Sequence, residues 1–360
     1  MKIIKNLIIG ILAFLGVVFL ILLILPEEEE KPLHSHVSSA SSGTSSALSP
    51  ESPGEQTEGA QELSTAAVRP IATKTTAKSA TVLIYMNGSD LESSSGEATE
   101  DLGEMLDSGI GKNVNVIVQT MGTRRWQEYG ISSRTAQRYR INKGQLELIQ
   151  DKLGQLNCTV TDTLSDFIEF GKSNYPADRY IFIFWNHGGG PVYGFGYDEW
   201  QNEEDALTLD EMYEAFSRHK DIRFDLIGMD CCIMGSLETC CAFSSFCDYT
   251  ALSEDFESGL GWSYTGWMKE LEADPAISTP VLGKSIIDQM IKANEEDYGG
   301  DTSTMALVDE ATVARLYLAW TNFAYDNEEE LLGSNYSKKH RAKGRSFWDF
   351  WDADGSDVTL

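Results

Sequence analysis

Positive charge is scarce in this 360-residue chain: 28 Lys and Arg stand against 56 Asp and Glu, a formal net charge of −28. A body this acidic repels phosphate backbones and anionic lipid headgroups, which excludes nucleic acid as a partner and favours cationic peptides. Cysteine is also sparse. The six cysteines (Cys158, Cys231, Cys232, Cys240, Cys241 and Cys247) are too few, and five of them too clustered, for a disulfide-stapled small scaffold. No pair has the C-x-x-C spacing of a zinc site. Aromatic residues are absent from Pro26 to Ile84, where Ser, Thr, Ala, Glu, Gly and Pro dominate. Such a stretch cannot bury enough apolar surface to offset its chain entropy. Residues 27–79 therefore read as a disordered linker, with a root-mean-square reach of roughly 40 Å.

One long apolar run stands at the amino terminus. Lys2 and Lys5 precede an uncharged stretch from Leu7 to Leu25, closed by Pro26 and Glu27 to Glu30. Nineteen helical residues span roughly 29 Å, the thickness of a hydrocarbon core. No small-x-small cleavage site ends the run, so residues 1–26 are expected to be an uncleaved signal anchor that exports the rest of the chain. The protein is then a single-pass cell-membrane protein, held through residues 7–25, with residues 80–360 outside as one large domain.

The pattern within that domain alternates strands and helices. Strands are expected at 81–86, 113–119, 138–141, 145–149, 180–185, 224–230, 249–253 and 302–308. Lys143-Gly144 turns the one hairpin. Helices are expected at 96–106, at 161–173 with Thr161 or Asp162 as cap, and at 208–218, 234–246, 263–272, 279–296 and 309–331. The closing residues, Phe347 to Leu360, run from aromatic to polar and read as a docked terminal helix or the cut end of a longer chain. Alternation of this kind makes an α/β fold, a mostly parallel sheet with helices on both faces.

Two strands end in chemistry. One runs Tyr180-Ile-Phe-Ile-Phe-Trp-Asn186 into His187-Gly188-Gly189-Gly190, the other Phe224-Asp-Leu-Ile-Gly-Met-Asp230 into Cys231-Cys232-Ile233-Met234. Open α/β sheets bind ligands beyond the carboxyl ends of their strands. A base and a thiol thus arrive on one rim, the layout of a cysteine hydrolase. Successive strand residues point to opposite faces, so only one of Cys231 and Cys232 can aim at the histidine. The thiol would lie at the amino end of the helix expected from Met234, where an anion is favoured. His187, followed by glycines that let the backbone approach a ligand, would carry protons. The N–H groups of Gly188 and Cys232 are candidate oxyanion donors. Each of these residues also has a plain structural reading: a small buried cysteine, or a core histidine.

At these motifs the chain resembles the clostripain family of cysteine endopeptidases, within the caspase, gingipain and legumain group. Tyr85-Met86-Asn87-Gly88 with Asp90-Leu91-Glu92 resembles the family's first strand and loop. Trp185 to Gly190 is similar to its histidine motif, and Asp230 to Met234 to its nucleophile motif. Ser253-Glu254 with Gly261 to Tyr264 is similar to its substrate-binding loop. Cys231 stands where the family has Ala, and Ser258 where Pro is common. The resemblance implies a caspase-like fold, a His187/Cys232 dyad with Cys232 as nucleophile, and cleavage after Arg or Lys. It makes Asp230 a wall of the pocket for the basic side chain. Glu254, Asp255 and Glu257 are candidates for further acidic lining, or else solvated loop charges. On the residues alone, Asp230 could equally satisfy the free N–H groups of the following helix.

No cofactor or metal site is expected. The acids Asp198, Glu199, Glu203, Glu204 and Asp205 leave room for calcium, which relatives sometimes need, but they lack EF-hand spacing. Cys240, Cys241 and Cys247 read as structural, and His219 and His340 as surface residues. Relatives often mature by cutting themselves at a basic residue between the two motifs. Here Gly188 to Ser217 contains no Lys or Arg, so a basic-specific enzyme is expected to stay one chain there, with trimming confined to Arg69, Lys74 or Lys78. The expected partners are peptides with a basic P1 residue, and the expected state is a monomer. The rivals are a catalytically inactive scaffold or binding protein of the same fold, and a cysteine acyltransferase or amidase of another fold.

Overall fold

The computed structural model describes residues 76–201, 205–298 and 304–331. The apolar run at 7–25, most of the linker, His340 and the closing residues 347–360 lie outside them. Among the described residues no helix is long and apolar enough to cross a membrane. Eight strands form one sheet: β1 (Ala80–Asn87), β2 (Val114–Met121), β3 (Gln137–Asn142), β4 (Gln145–Gln150), β5 (Arg179–Trp185), β6 (Phe224–Asp230), β7 (Cys247–Leu252) and β8 (Ala306–Asp309). Their order is β4-β3-β2-β1-β5-β6-β7-β8. The five central strands, β2, β1, β5, β6 and β7, are parallel, and antiparallel pairs close both edges.

The helices are α1 (Glu97–Asp107), α2 (Thr161–Asn174), α3 (Leu209–Ser217), α4 (Leu237–Phe243), α5 (Tyr264–Ala273), α6 (Thr279–Tyr298) and α7 (Glu310–Asp326). Alternate strand residues feed two separate cores, as a pleat buried on both faces requires. Val82, Ile84, Ile181 and Ile183 pack with α1, α5 and α6 residues such as Leu102, Trp267 and Ile286. Leu83, Tyr85, Phe182 and Phe184 pack on the other face with α2, α3 and α4 residues such as Phe167, Phe216 and Phe243.

The expected elements recur with local corrections. The cap of α2 is Val160, without any side-chain bond, rather than Thr161 or Asp162. The helix expected from Met234 begins only at Leu237. Ile233 sits at φ +53°, which no helix accommodates, and the Ser236 hydroxyl then accepts the Thr239 N–H as cap. The strand expected at 302–308 is Ala306–Asp309 in its described part, and the helix expected to 331 breaks at Asn327. His219 is buried, with Nε2 2.9 Å from the Ser165 hydroxyl, rather than on the surface.

Strand order reverses direction at β1, which neighbours both β2 and β5. That switch point opens a crevice at the carboxyl ends of the strands. Trp262 roofs the inner face of β6 at Gly228, where a Cβ would stand 2.5 Å from the indole ring. Gly228→Ala must displace that ring. We expect it to destabilise the domain by about 1–3 kcal/mol, read as a lower thermal midpoint by calorimetry, while Gly259→Ala, where a Cβ makes only an ordinary contact at 3.6 Å, serves as the control.

Candidate active site

Strand register assembles the site. β5 and β6 pair in parallel with Trp185 opposite Asp230, and His187 and Cys232 each lie two residues beyond that pair. Both line one cavity of about 170 Å³ at the crevice. The backbone of Gly188 runs against Cys232 so closely that a Cβ there would meet the Cys232 carbonyl oxygen at 1.8 Å. Only glycine fits that approach. Neither the Gly188 nor the Cys232 N–H donates to another residue among the described ones, which leaves both open to an incoming oxygen.

Cys231 and Cys232 part as strand alternation requires. Cys231 is buried in the core of the α2, α3 and α4 face, and Cys232 is partly exposed in the cavity. The Cys232 Sγ accepts the Glu257 N–H at 3.3 Å. Burial nevertheless pushes this thiol up, against the help of that N–H, and the Asp230 and Asp255 charges push the same way. The α4 dipole does not act directly on it, because four residues separate Cys232 from Leu237. The strained Ile233 follows at once and is fixed by its N–H to the Asp255 carbonyl at 2.9 Å.

His187 has a partner that the spacing of motifs did not reveal. Its Nε2 lies 2.8 Å from Asp90 Oδ1, and its ring stacks on Tyr197 with centroids 5.9 Å apart. The hydrogen bond from His187, with help from Tyr197 and Ser89, holds the Asp90 carboxyl well below the usual carboxylate range, so it stays ionised. Nε2 is thereby engaged, so any further partner of the ring must meet Nδ1. Asn186 secures the loop, donating to the Asn87 carbonyl and to the Ser89 hydroxyl.

The cavity wall is acidic. Asp230 Oδ2 accepts the Tyr264 hydroxyl at 2.6 Å and Oδ1 the Trp262 N–H at 3.2 Å, a use unrelated to the following helix. Gly261, at φ +58°, makes room for it, since a Cβ there would stand 2.8 Å from Oδ1. Burial raises Asp230 to about 7. Asp101, bonded to the Trp185 indole at 2.6 Å, is raised well above its ordinary value by burial and by Asp230. Glu97 at the rim rises to about 7, again through burial. Both carboxylate oxygens of Glu257 are buried, beside the Trp262 indole and Asp230, and burial with Asp230 next to it drives that group up strongly.

Glu254 and Asp255 stand elsewhere. Glu254 lines a separate apolar cavity with Leu237 and Val308, and the Asp255 carboxyl accepts its neighbour's N–H from Phe256. Ser258 ties the loop down by donating to Asn294 on α6. The acidic loop serves as ties too: Asp198 accepts from the Trp200 and Cys158 N–H groups, Glu199 from Arg124 N and the Thr123 and Ser93 hydroxyls. Among the described residues no group of three or more His, Cys, Asp or Glu is placed to hold a metal. All six cysteines are free.

These charges fix how the thiol titrates. Alkylation of Cys232 by iodoacetamide is expected to follow an apparent pKa above the free-cysteine value of about 8.5. Asp230→Asn removes a negative neighbour, so the same titration, read by mass spectrometry, should shift to lower pH. An unshifted curve would mean that Asp230 and the thiol do not sense each other.

Comparison with known proteins bears on the family and the fold. A model of the clostripain family matches residues 84–357. Clostripain of Hathewaya histolytica is 30% identical over 89 residues, covering 21% of this chain and 16% of the relative, so the chain aligns with less than a fifth of that protein's length. A secreted C11 cysteine protease of Bacteroides thetaiotaomicron, solved with an irreversible peptide inhibitor, superposes with a TM-score of 0.54 at 23% identity, covering 67% of this chain and 69% of that one. An inactive zymogen C11 protease of Parabacteroides distasonis gives 0.53 at 19% identity, covering 68% and 65%. At those identities the superpositions establish the fold, and the family match covers most of the chain. With the histidine and cysteine motifs on adjacent strand ends of that fold, the chain belongs to the clostripain family of cysteine peptidases.

Proposed function

We propose that the protein is a membrane-tethered extracellular cysteine endopeptidase that cleaves after Arg or Lys through His187 and Cys232. The observation that carries this reading is the cavity itself, in which a thiol and an imidazole share one mouth with four carboxylates: Asp230, Asp101, Glu257 and Glu97. Ionising several buried carboxyl groups side by side is costly, and a guanidinium or ammonium group is the chemistry that offsets that cost. Asp230 and Glu257 take the side chain, where Glu254 and Asp255 were expected to assist.

The proposed reaction runs through the two side chains at the cavity mouth. The scissile carbonyl carbon is attacked by Cys232 Sγ as His187 Nδ1 takes the thiol proton. The oxyanion settles on the N–H groups of Gly188 and Cys232, an interaction worth about 2.7–4 kcal/mol per well-aimed donor. His187 then protonates the leaving amine, the C–N bond breaks, and a water deprotonated by His187 releases the acyl group. Asp90 holds the ring in place and stabilises the imidazolium. Thiol and imidazole suffice for this chemistry, so the proposal includes no cofactor. Residues 7–25 supply the tether, and the monomer is the working unit.

The test is a fluorogenic peptide panel with Arg, Lys, Asn, Asp and Leu at P1, using wild type, Cys232→Ala and Asp230→Asn. Wild type should cleave the Arg and Lys peptides and Cys232→Ala none. Asp230→Asn should lose about 10- to 100-fold in kcat/KM on them, the worth of one charged hydrogen bond. A basic side chain needs an ionised partner, so wild-type kcat/KM should rise with pH through about 7, where Asp230 loses its proton, and the variant should lose that inflection. Cleavage only after a neutral residue would retain the peptidase and discard the acidic selector. A folded protein that cleaves nothing would make it a binding or scaffold protein. Intact-mass analysis of active enzyme should also find no break within residues 188–217, which contain no Lys or Arg; a two-chain product cut there would contradict basic specificity.

A further inference from the structure

Exposed apolar surface concentrates on one element. Leu316, Tyr317, Leu318, Trp320, Phe323 and Tyr325 all stand exposed on α7. Among the described residues its buried positions lie in the first turn, where Glu310 accepts the Thr250 hydroxyl at 2.6 Å and Val313 enters the core beside α4. Beyond that turn its pattern remains that of a packed helix. Val313, Leu316, Trp320 and Phe323 recur at three- and four-residue spacing and make one stripe that starts buried and ends uncovered. Its inner end opens on the cavity of about 190 Å³ between Leu237, Leu252, Val308 and Leu316. A monomer rarely leaves so continuous a patch bare.

We propose that the stripe is covered by the chain's own carboxyl-terminal segment, the aromatic run Phe347-Trp348-Asp349-Phe350-Trp351. Two observations select this occupant. The first is reach: the 20 residues between Asp326 and Phe347 span up to about 65 Å when extended, against about 15 Å of helix from Asp326 back to Leu316. The second is charge: Lys338, Lys339, Arg341 and Lys343 stand in sequence between α7 and the aromatic run, opposite in sign to Asp326 and Glu328, in a chain otherwise short of positive charge. Aromatic rings meeting edge to face add to the burial.

Photocrosslinking tests this in the full-length chain. Phe350→benzoylphenylalanine, made as a mixture of isotopically heavy and light chains, should give adducts to residues 316–325 within a single chain. Heavy–light adducts would instead identify a second copy as the cover and overturn the proposal. Adducts confined to lipid or to another surface, or no adduct at all, would overturn it as well. Hydroxyl-radical oxidation of Trp320 provides a second reading: it should rise severalfold when Phe347 and Phe350 are both replaced by Ala, and an unchanged rate would also count against the docking. Neither readout depends on the peptidase assignment.

Discussion

The site rests on one pairing, Trp185 opposite Asp230 between two parallel strands. The side-chain period of a strand is two, so a slip of one residue would turn every side chain to the other face. The flanking residues forbid that slip. Phe182 and Phe184 are buried among the rings of Phe216 and Phe243 on one face, while Ile181 and Ile183 meet the second core on the other. With the register fixed, the two strands leave the sheet side by side. The glycines after His187 then let the backbones close to a distance that no side chain at 188 would permit. The catalytic geometry is therefore a consequence of core packing several residues away.

The same rim carries a thermodynamic burden. Asp230, Asp101, Glu97 and Glu257 all have raised affinities for protons, chiefly because burial penalises their charge. A carboxyl whose folded pKa exceeds its unfolded value binds more protons in the folded state. Between the unfolded value near 4 and the folded value of about 7 for Asp230, stability contributed by such a group falls as pH rises. Tyr264, Trp262 and Gly261 are arranged to keep the Asp230 carboxylate in place, which argues for a cationic occupant.

Periodicity made the sheet and most of its helices legible. Apolar runs bounded by glycine or polar residues marked β1, β5 and β6, and the alternation of strand and helix gave the parallel architecture. Motif resemblance supplied His187 and Cys232. What stayed hidden depends on loops, where no period constrains the chain. Asp90 meets His187 across 97 residues because β1 and β5 are neighbours, a fact of topology that no local pattern carries. Glu257 was one acid among several in its loop until the fold placed its N–H on the Cys232 sulfur and set Glu254 and Asp255 outside the pocket. The early start expected for α4 failed for a local reason. Ile233 adopts a left-handed conformation that a β-branched residue seldom takes, and propensity alone does not foresee that.

That misplaced helix changes how the nucleophile must work. A cysteine at a helix amino terminus would rest as a thiolate. Cys232 instead rests protonated, held up by burial and by the carboxylates beside it, with one N–H from Glu257 in its favour. The residue that donates this N–H also contributes a buried carboxylate to the cavity. On the proposed basic specificity, a cation entering there offsets part of the Asp230 charge that opposes ionisation of the thiol, so binding and activation would draw on the same charges. A neutral side chain of equal size would fill the space and leave the thiol as it was. Selectivity on this reading lies partly in the ionisation of the nucleophile, and the acidic wall, which weakens the empty enzyme's thiol, is what makes that coupling possible.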